Sequence, residues 1–288
     1  MDVGVSWSAD RRIPPLAHFV YGLRPQSEPF HLLHYVAIES CRQVLAPEQI
    51  FVHYGELPWG TYWDLIRPHV TLVPVEPVAA VTEARYHPEL VPPHLRYAHH
   101  ADFVRLDALW EHGGLYADID TVFLHPLPDA FLDAPFVIGR EGLVADELTG
   151  VRRPSLCNAL MLAEPRSAFV GAWRRQMAGE INGTWSNHSG FLAARLADEA
   201  PDQVRVAPEH RFFPAACSVE GLADLLERDA VDDRDATSVH LWAHLWWPAG
   251  RTDYSRVHAG ALTADRLARD ATSLARFVRP YLPPLERW

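Results

Sequence analysis

The run HGGLYADID at residues 112–120 joins a glycine pair, a short apolar segment and two aspartates two positions apart. A helical pattern precedes the run, and glycine is typical of the position just after a helix. Residues i and i+2 of an extended segment point to one face, so Asp118 and Asp120 can converge on a cation while Ile119 turns toward the core. Convergent carboxylates suit Mg²⁺ or Mn²⁺ bridged to phosphate oxygens. The run therefore predicts a metal site at the end of a buried strand.

Apolar runs and amphipathic stripes alternate along the chain. Strands are predicted at residues 16–21, 50–54, 70–75, 121–124, 136–139, 158–163, 204–206 and from 238. Helices are predicted at residues 30–45, 59–66, 97–112, 169–177, 190–199 and 263–279. Residues 79–94 and 141–154 have the composition of loops. The strand, helix, strand order of the first half predicts an α/β fold with a mostly parallel central sheet and flanking helices.

Length and charge limit the classes of function. The 288 residues, 48% of them hydrophobic, suit a single domain with a substantial core. The formal net charge of −11 argues against binding to nucleic acid or an anionic membrane. All 26 positive side chains are arginine, so lysine-dependent chemistry is excluded. The three cysteines form no CxxC pair, and no segment predicts a transmembrane helix or a signal peptide. We therefore expect a bacterial protein of the cytoplasm, either free or peripheral to the membrane.

The residues around the acidic pair resemble a known family. The segment ADFVR at 101–105, followed by EHGGLYADID at 111–120, looks like the DXD-containing sugar transferases. That family includes Och-type mannosyltransferases, alpha-galactosyltransferases and the clostridial glucosylating toxins. The resemblance implies a GT-A fold, a UDP- or GDP-linked sugar donor, a divalent cation, and retaining transfer of a hexose to an acceptor that the sequence does not identify. It also implies a nucleotide-sugar half at residues 13–140 and an acceptor-side half at residues 141–288.

Asp102 and Arg105 match the helical pair that contacts the donor sugar in the family. Their i, i+3 spacing places both on one helical face. Together with Asp118 and Asp120 they are the predicted catalytic residues. The alternative interpretation of Asp102 and Arg105 is a surface ion pair, which would contribute little to stability. Ala101 stands where the toxin relatives carry serine.

Further donor contacts follow from the same resemblance. The segment HFVYG at residues 18–22 is similar to the first strand of the family, in which an aromatic residue stacks on the nucleotide base. Tyr21 takes that position and can stack on a base, and Val20 and Tyr116 are assigned to the same donor site. Asn158 matches a family asparagine suited to a sugar hydroxyl. The alternatives are a core aromatic for Tyr21 and a turn-forming asparagine for Asn158.

The segment VHLWAHLW at residues 239–246 is similar to a C-terminal His-x-Trp segment of the family that returns to the metal. His240 is the predicted third protein ligand, because neutral imidazole beside two carboxylates suits Mn²⁺. His244 competes with it for this role. Trp246 is the candidate for donating its indole N–H to the leaving phosphate. Leu245 stands where the family usually carries serine.

Two other classes of function remain open at this stage. The segment DIDTV at residues 118–122 also matches the first motif of haloacid-dehalogenase-type phosphatases, which normally lies near the start of its domain and is used with a later lysine. A non-catalytic carbohydrate-binding protein could use some of the 10 tryptophans as stacking platforms, but it would not need the acidic pair. Acceptor contacts are expected from residues 79–94, from residues 141–154 and from histidines and arginines of the C-terminal third.

Overall fold

The computed structural model describes residues 7–246 and 262–284. Its strands are β1 Leu16–Tyr21, β2 Gln49–Tyr54, β3 Thr71–Pro74, β4 Gly114–Ala117, β5 Thr121–Phe123, β6 Phe136–Ala145, β7 Arg152–Ala163, β8 Arg205–Ala207 and β9 Ser238–His240. Its α-helices are α1 Leu32–Ser40, α2 Thr61–Ile66, α3 Ala79–Thr82, α4 Tyr97–His112, α5 Asp129–Leu132, α6 Ala168–Met177, α7 Leu192–Glu199, α8 Glu209–Phe212, α9 Val219–Leu226, α10 Ala264–Arg269 and α11 Ser273–Val278. One-turn π-helical segments at Cys41–Leu45 and Asn187–Phe191 adjoin α1 and α7.

Seven strands form the central sheet in the order β3-β2-β1-β4-β7-β6-β8. The pairs β1–β2, β2–β3, β1–β4 and β6–β8 are parallel, whereas β7 is antiparallel to β4 and β6. Six strands therefore point their carboxyl ends to one edge. The predicted α/β fold with a mostly parallel sheet is confirmed.

The core has two parts because successive strand residues face opposite sides of the sheet. Phe19, Leu115 and Leu162 belong to the cluster that packs against α1 and the C-terminal helices α10 and α11. Val20 and Tyr116 belong to the cluster on the other face, which packs against α4, α6 and α7. Helices thus cover both faces, and the carboxyl edge is left for a site.

Three predicted elements differ from the structure. Residues 141–154 are not simply a loop, since β6 and β7 continue as a hairpin through Ala145 and Arg152. The predicted helix at 263–279 is two helices, because Asp270 is extended and the Thr272 side chain caps a new N-terminus. The predicted loop at 79–94 includes the single-turn helix α3. Within the described ranges, no helix has the length and apolar character needed to cross a membrane.

Candidate active site

Asp118 and Asp120 lie in a turn at the carboxyl end of β4. The Asp118 N–H donates to the Ala159 carbonyl at 2.7 Å, and the Thr121 N–H donates to the Asp118 carbonyl at 3.0 Å. The expectation of an extended segment is therefore wrong, because the turn already begins at Asp118. Ile119 packs against the core while remaining partly exposed. The chain reversal, rather than strand alternation, brings the two carboxylates together.

Strand β9 carries His240 to this turn. In the two-stranded sheet that β9 forms with β5, His240 lies opposite Thr121. The imidazole Nε2 is 2.9 Å from Asp120 Oδ1 and 3.8 Å from Asp118 Oδ2. The backbone N–H of Ala243 donates to Asp120 Oδ2 at 2.9 Å. One candidate ligand atom each from Asp118, Asp120 and His240 lies within 4.8 Å of the other two.

The charges of this cluster depend on one another. Burial favours protonation of Asp120, but the His240 imidazole outweighs burial and lowers the Asp120 pKa. Burial, with Asp120 nearby, raises the Asp118 pKa in spite of the Arg105 charge. Burial opposes protonation of His240, yet the carboxylates raise its pKa. A cation could replace that proton, because two carboxylates and an imidazole are a donor set that suits Mn²⁺ or Mg²⁺.

Arg105 connects the acidic turn to helix α4. Its Nη1 donates to the Asn158 carbonyl at 2.7 Å, and its Nη2 lies 3.2 Å from Asp118 Oδ1 and 3.4 Å from Asp102 Oδ1. The guanidinium also lies over the Tyr116 ring, whose hydroxyl donates to Asp118 Oδ1 at 2.6 Å. Asp102 and Arg105 are only 7% and 4% exposed, so the surface ion-pair interpretation is wrong.

Asp102 is held by donors from two other elements. The Asn158 side-chain amide donates to Asp102 Oδ1 at 2.8 Å, and His188 Nε2 lies 2.9 Å from Asp102 Oδ2. Burial would raise the Asp102 pKa, but Arg105 and His188 lower it to about 2. Asp102 is therefore an ionised, fixed acceptor. The same bonds place Asn158 in the candidate site. Since Asn158 lies within β7, its interpretation as a turn-forming residue is wrong.

His188 was missed by sequence reasoning. It is fully buried in the segment before α7, where its ring packs edge-on against His99 at 4.3 Å between centroids. Burial lowers the His99 pKa to about 4, and its Nδ1 lies 3.1 Å from the Tyr86 hydroxyl. A lone histidine in a polar segment carries no local signal of such a partner. Only the packing of the segment against α4 reveals the contact with Asp102.

These groups surround a cavity of about 850 Å³ at the carboxyl edge of the sheet. Val20, Tyr21 and Tyr116 line it with largely buried side chains, and their assignment to the donor site stays a prediction. Tyr21 packs edge-on against Phe30 and His34, so it also belongs to the core. Its stacking on a base stays a prediction.

Trp246 does not have the predicted position. Its indole N–H donates to the Leu241 carbonyl at 2.6 Å, because the 3₁₀ turn Ala243–Leu245 folds the chain back after β9. Trp246 is absent from the described residues that line the cavity. We name Asp118, Asp120 and His240 the metal-ligand cluster. His244 lines the cavity but forms no part of this cluster, so the structure favours His240 over His244 as the candidate ligand.

Positive charge lies on the β1 side of the cavity. Arg24 follows β1 and lies over the Tyr97 ring, with 4.8 Å between its guanidinium carbon and the ring centroid. Arg96 lies over the Tyr86 ring, and its buried Nε has no hydrogen-bond partner among the described residues. Sequence reasoning missed both arginines, since each is an isolated residue in an irregular segment.

The fold and the site define the class of protein. A mostly parallel sheet with an acidic turn at its carboxyl edge fits the GT-A type fold that the sequence resemblance implies. The model of the glycosyltransferase sugar-binding region containing the DXD motif matches residues 80–137. Glucan organizing enzyme 1 of Cryptococcus neoformans var. grubii serotype A is 30% identical over 279 residues, covering 94% of this chain and 71% of that protein. The chain belongs to the family of DXD-containing glycosyltransferases.

Several solved glycosyltransferase structures resemble this one at low identity. The PaToxG glycosyltransferase has a TM-score of 0.44 at 15% identity and covers 66% of this chain and 70% of its own. GlyE of Streptococcus pneumoniae has a TM-score of 0.47 at 12% identity, and the match covers 96% of this chain and 66% of the GlyE chain. An active-site mutant of LgtC has a TM-score of 0.47 at 13% identity, covering 86% and 96%.

Proposed function

We propose that this protein is a metal-dependent retaining glycosyltransferase that moves a hexose from a UDP- or GDP-sugar to an acceptor. One observation carries the proposal: Asp118, Asp120 and His240 converge beside the buried Asp102–Arg105 pair. The three converging residues would hold Mn²⁺ or Mg²⁺. A divalent cation there would supply positive charge against the diphosphate of the donor.

The fixed charges of the protein suit the rest of the donor. Asp102 is ionised and held by Asn158 and His188, so its remaining lone pairs can accept from sugar hydroxyls in a set orientation. Arg105 is held by the Asn158 carbonyl and adds positive charge beside Asp118. Charges held in position before the reaction stabilise a developing charge without reorganisation.

The proposed transfer breaks the bond between the sugar anomeric carbon and the diphosphate oxygen. The nucleoside diphosphate leaves with the electron pair, and the acceptor oxygen bonds to the anomeric carbon on the same face. The departing phosphate takes the acceptor proton, so this route requires no protein base.

The cytoplasmic location and bacterial origin stay predictions, and the fungal relative gives no support to a bacterial origin.

The two alternative functions are less favoured. A haloacid-dehalogenase-type phosphatase would need a lysine, and the sequence has none. A non-catalytic sugar-binding protein would have no use for the buried Asp102–Arg105 pair, because the desolvation of two charged groups costs free energy that their mutual attraction often only offsets.

Nucleotide release tests the proposed function. The protein is incubated with UDP-, GDP- and dTDP-sugars in Mn²⁺, in Mg²⁺ and in EDTA. We expect release from one donor, loss of release in EDTA, and a decrease on the order of 100-fold or more in Asp118→Asn and Asp120→Asn. Asp265→Asn is the control, since Asp265 is exposed on α10 and, among the described residues, forms an ion pair with Arg269 alone. Full activity of either active-site variant would overturn the assignment.

A further inference from the structure

The cavity continues past the metal-ligand cluster along a wall of different chemistry. Its lining arginines among the described residues all lie on the side of β1 and α4: Arg24, Arg96 and Arg105. The rest of the lining comes from the β6–β7 hairpin, from the turn after β9 and from the segment before α7, whose Trp185 ring also lies 5.5 Å from the His99 ring of α4. We name this part of the lining the acidic–aromatic wall, and its defining residues are Glu141, Glu147, Trp185 and His244.

The sheet order separates Glu141 from the proposed nucleotide side. Tyr21 ends β1, Asp118 follows β4, and Glu141 lies on β6 just beyond Gly139, which pairs with Cys157. Three strand spacings separate β1 from β6 in the order β1-β4-β7-β6, which is roughly 14 Å. A donor whose base lies near Tyr21 and whose phosphates reach Asp118 would leave the wall free for a second substrate.

Glu141 is a carboxylate with capacity to bind. Ser155 Oγ donates to its Oε2 at 2.8 Å, while Oε1 has no hydrogen bond to any described residue. No described arginine pairs with Glu141. Glu147 is similar, since its Oε2 is buried without a hydrogen-bond partner among the described residues. A buried acceptor without a donor, such as Glu147 Oε2, costs free energy, and a ligand rich in hydroxyl groups would supply donors to both carboxylates.

Trp185 supplies an apolar surface beside these carboxylates. Its ring stacks with His244 at an angle of 27° and a centroid distance of 6.2 Å, and it remains partly exposed. Burial lowers the His244 pKa to about 4, so this ring is neutral near pH 7. An aromatic face beside fixed acceptors can pack against the C–H face of a sugar ring while its hydroxyls donate at the edge.

We propose that the acidic–aromatic wall is the acceptor subsite and that it takes an uncharged, hydroxyl-rich acceptor such as the end of an oligosaccharide. This inference rests on the proposed function. Hydroxyl groups of the acceptor donate to Glu141 and Glu147, and one sugar ring packs on Trp185. The same carboxylates repel an acceptor that carries phosphate or uronate groups.

Direct binding tests the subsite without turnover. The full chain with Mn²⁺ and a nucleoside diphosphate is titrated calorimetrically with maltotriose, laminaritriose, mannotriose and trigalacturonate. We expect at least one neutral trisaccharide to bind at least 10-fold more tightly than trigalacturonate. Glu141→Gln and Trp185→Ala should weaken that binding by about 10-fold or more. Glu111→Gln is the matched control, because Glu111 is exposed on α4, pairs with Arg166 and does not line the cavity.

The outcomes separate this inference from the proposed function. Binding of no neutral trisaccharide, a preference for trigalacturonate, or unchanged binding in both wall variants overturns the subsite. Thermal unfolding of each variant identifies misfolding, and Trp185→Phe, which keeps an aromatic face, should retain binding if the fold is intact. Nucleotide release with no trisaccharide binding would overturn the subsite alone. Trisaccharide binding with no nucleotide release from any donor would overturn the transferase and leave a glycan site.

Discussion

His188 Nε2 lies 2.9 Å from Asp102 Oδ2, and this contact joins the segment before α7 to helix α4. His188 does not line the cavity, so it acts on a substrate only through Asp102. We expect His188→Leu to lower kcat by roughly 10- to 100-fold, because a hydrogen bond to a charged group contributes about 1.5–3 kcal/mol. His188→Gln keeps a donor and should recover part of the loss. An equal loss of kcat in both variants would contradict this positioning role.

The third ligand of the proposed metal site can be identified by paired substitutions. His240 lies 2.9 Å from Asp120, whereas His244 stacks on Trp185. We expect His240→Ala to weaken Mn²⁺ binding on the order of 10- to 100-fold, and His244→Ala to leave it within a factor of two. Electron paramagnetic resonance of free Mn²⁺ measures both affinities. The reverse ranking would make His244 the ligand.

Arg105 should matter for stability as well as for turnover. Its removal leaves the buried carboxylate of Asp102 and the partly exposed carboxylate of Asp118 without their cation, and breaking a buried pair costs about 3–5 kcal/mol. We expect Arg105→Gln to lower the free energy of unfolding by several times more than Arg174→Gln. Arg174 on α6 pairs with the exposed Asp107, which lies on α4 as Arg105 does. Such exposed pairs contribute about 1 kcal/mol or less. Urea unfolding measures both variants, and equal losses would contradict the buried-pair interpretation.

Acid should destabilise the protein through two histidines of the sheet. Burial lowers the pKa of His18 to about 3 and that of His53 to about 4, and the two rings are hydrogen-bonded at 3.1 Å. As the pH falls below about 6.5, the histidines of the unfolded chain take up protons before those of the folded protein do. The free energy of unfolding therefore decreases between that pH and about 3. Each histidine then costs about 1.4 kcal/mol per pH unit over most of this window.

Unfolding in urea at pH 7.5, 6.5 and 5.5 measures this slope. The double variant His18→Gln/His53→Gln should be less stable at pH 7.5 but should lose less stability on acidification. If the double variant lost as much free energy of unfolding between pH 6.5 and 5.5 as the wild-type protein does, groups other than His18 and His53 would cause the acid destabilisation.

Gly190 allows the segment before α7 to approach β7. A Cβ at this position would collide with Ser155 Oγ and lie 2.9 Å from the Leu156 carbonyl oxygen. Gly190→Ala should therefore lower the thermal midpoint and disturb the Ser155 hydroxyl that donates to Glu141. Gly179→Ala is the matched control, since nothing lies within 4 Å of its Cβ position. Its alanine should be neutral or stabilising by about 0.4–1 kcal/mol. Equal midpoints for the two variants would show that the segment can move aside.

Local patterns were sufficient for the elements that carry the site. The bounds of β1 and α4 follow from an apolar run and a helical stripe that glycines terminate, and both are confirmed. The β6–β7 hairpin could not be recognised, because its distal part is charged and lacks an apolar run. The break near Asp270 was missed because the helical periodicity continues across it, although Thr272 offered a capping signal.

The partners of the site residues depended on tertiary structure. The spacing of Asp118 and Asp120 indicated the acidic pair, and the family resemblance indicated Asp102 and Arg105. His188 and Glu141 reach the site from other elements, and no local spacing connects either to Asp118. The choice between His240 and His244 required the pairing of β9 with β5, which sets the residue opposite Thr121.

The metal-ligand cluster joins Asp118 and Asp120 to a histidine 120 positions further along the chain. During synthesis at about 5–20 residues per second, roughly 6–24 s pass between the addition of Asp120 and that of His240. The cluster cannot form in that interval, however well the first strands have folded. If the proposed function is correct, a nascent chain on the ribosome would therefore consume no nucleotide-sugar until its C-terminal third had folded against the acidic turn.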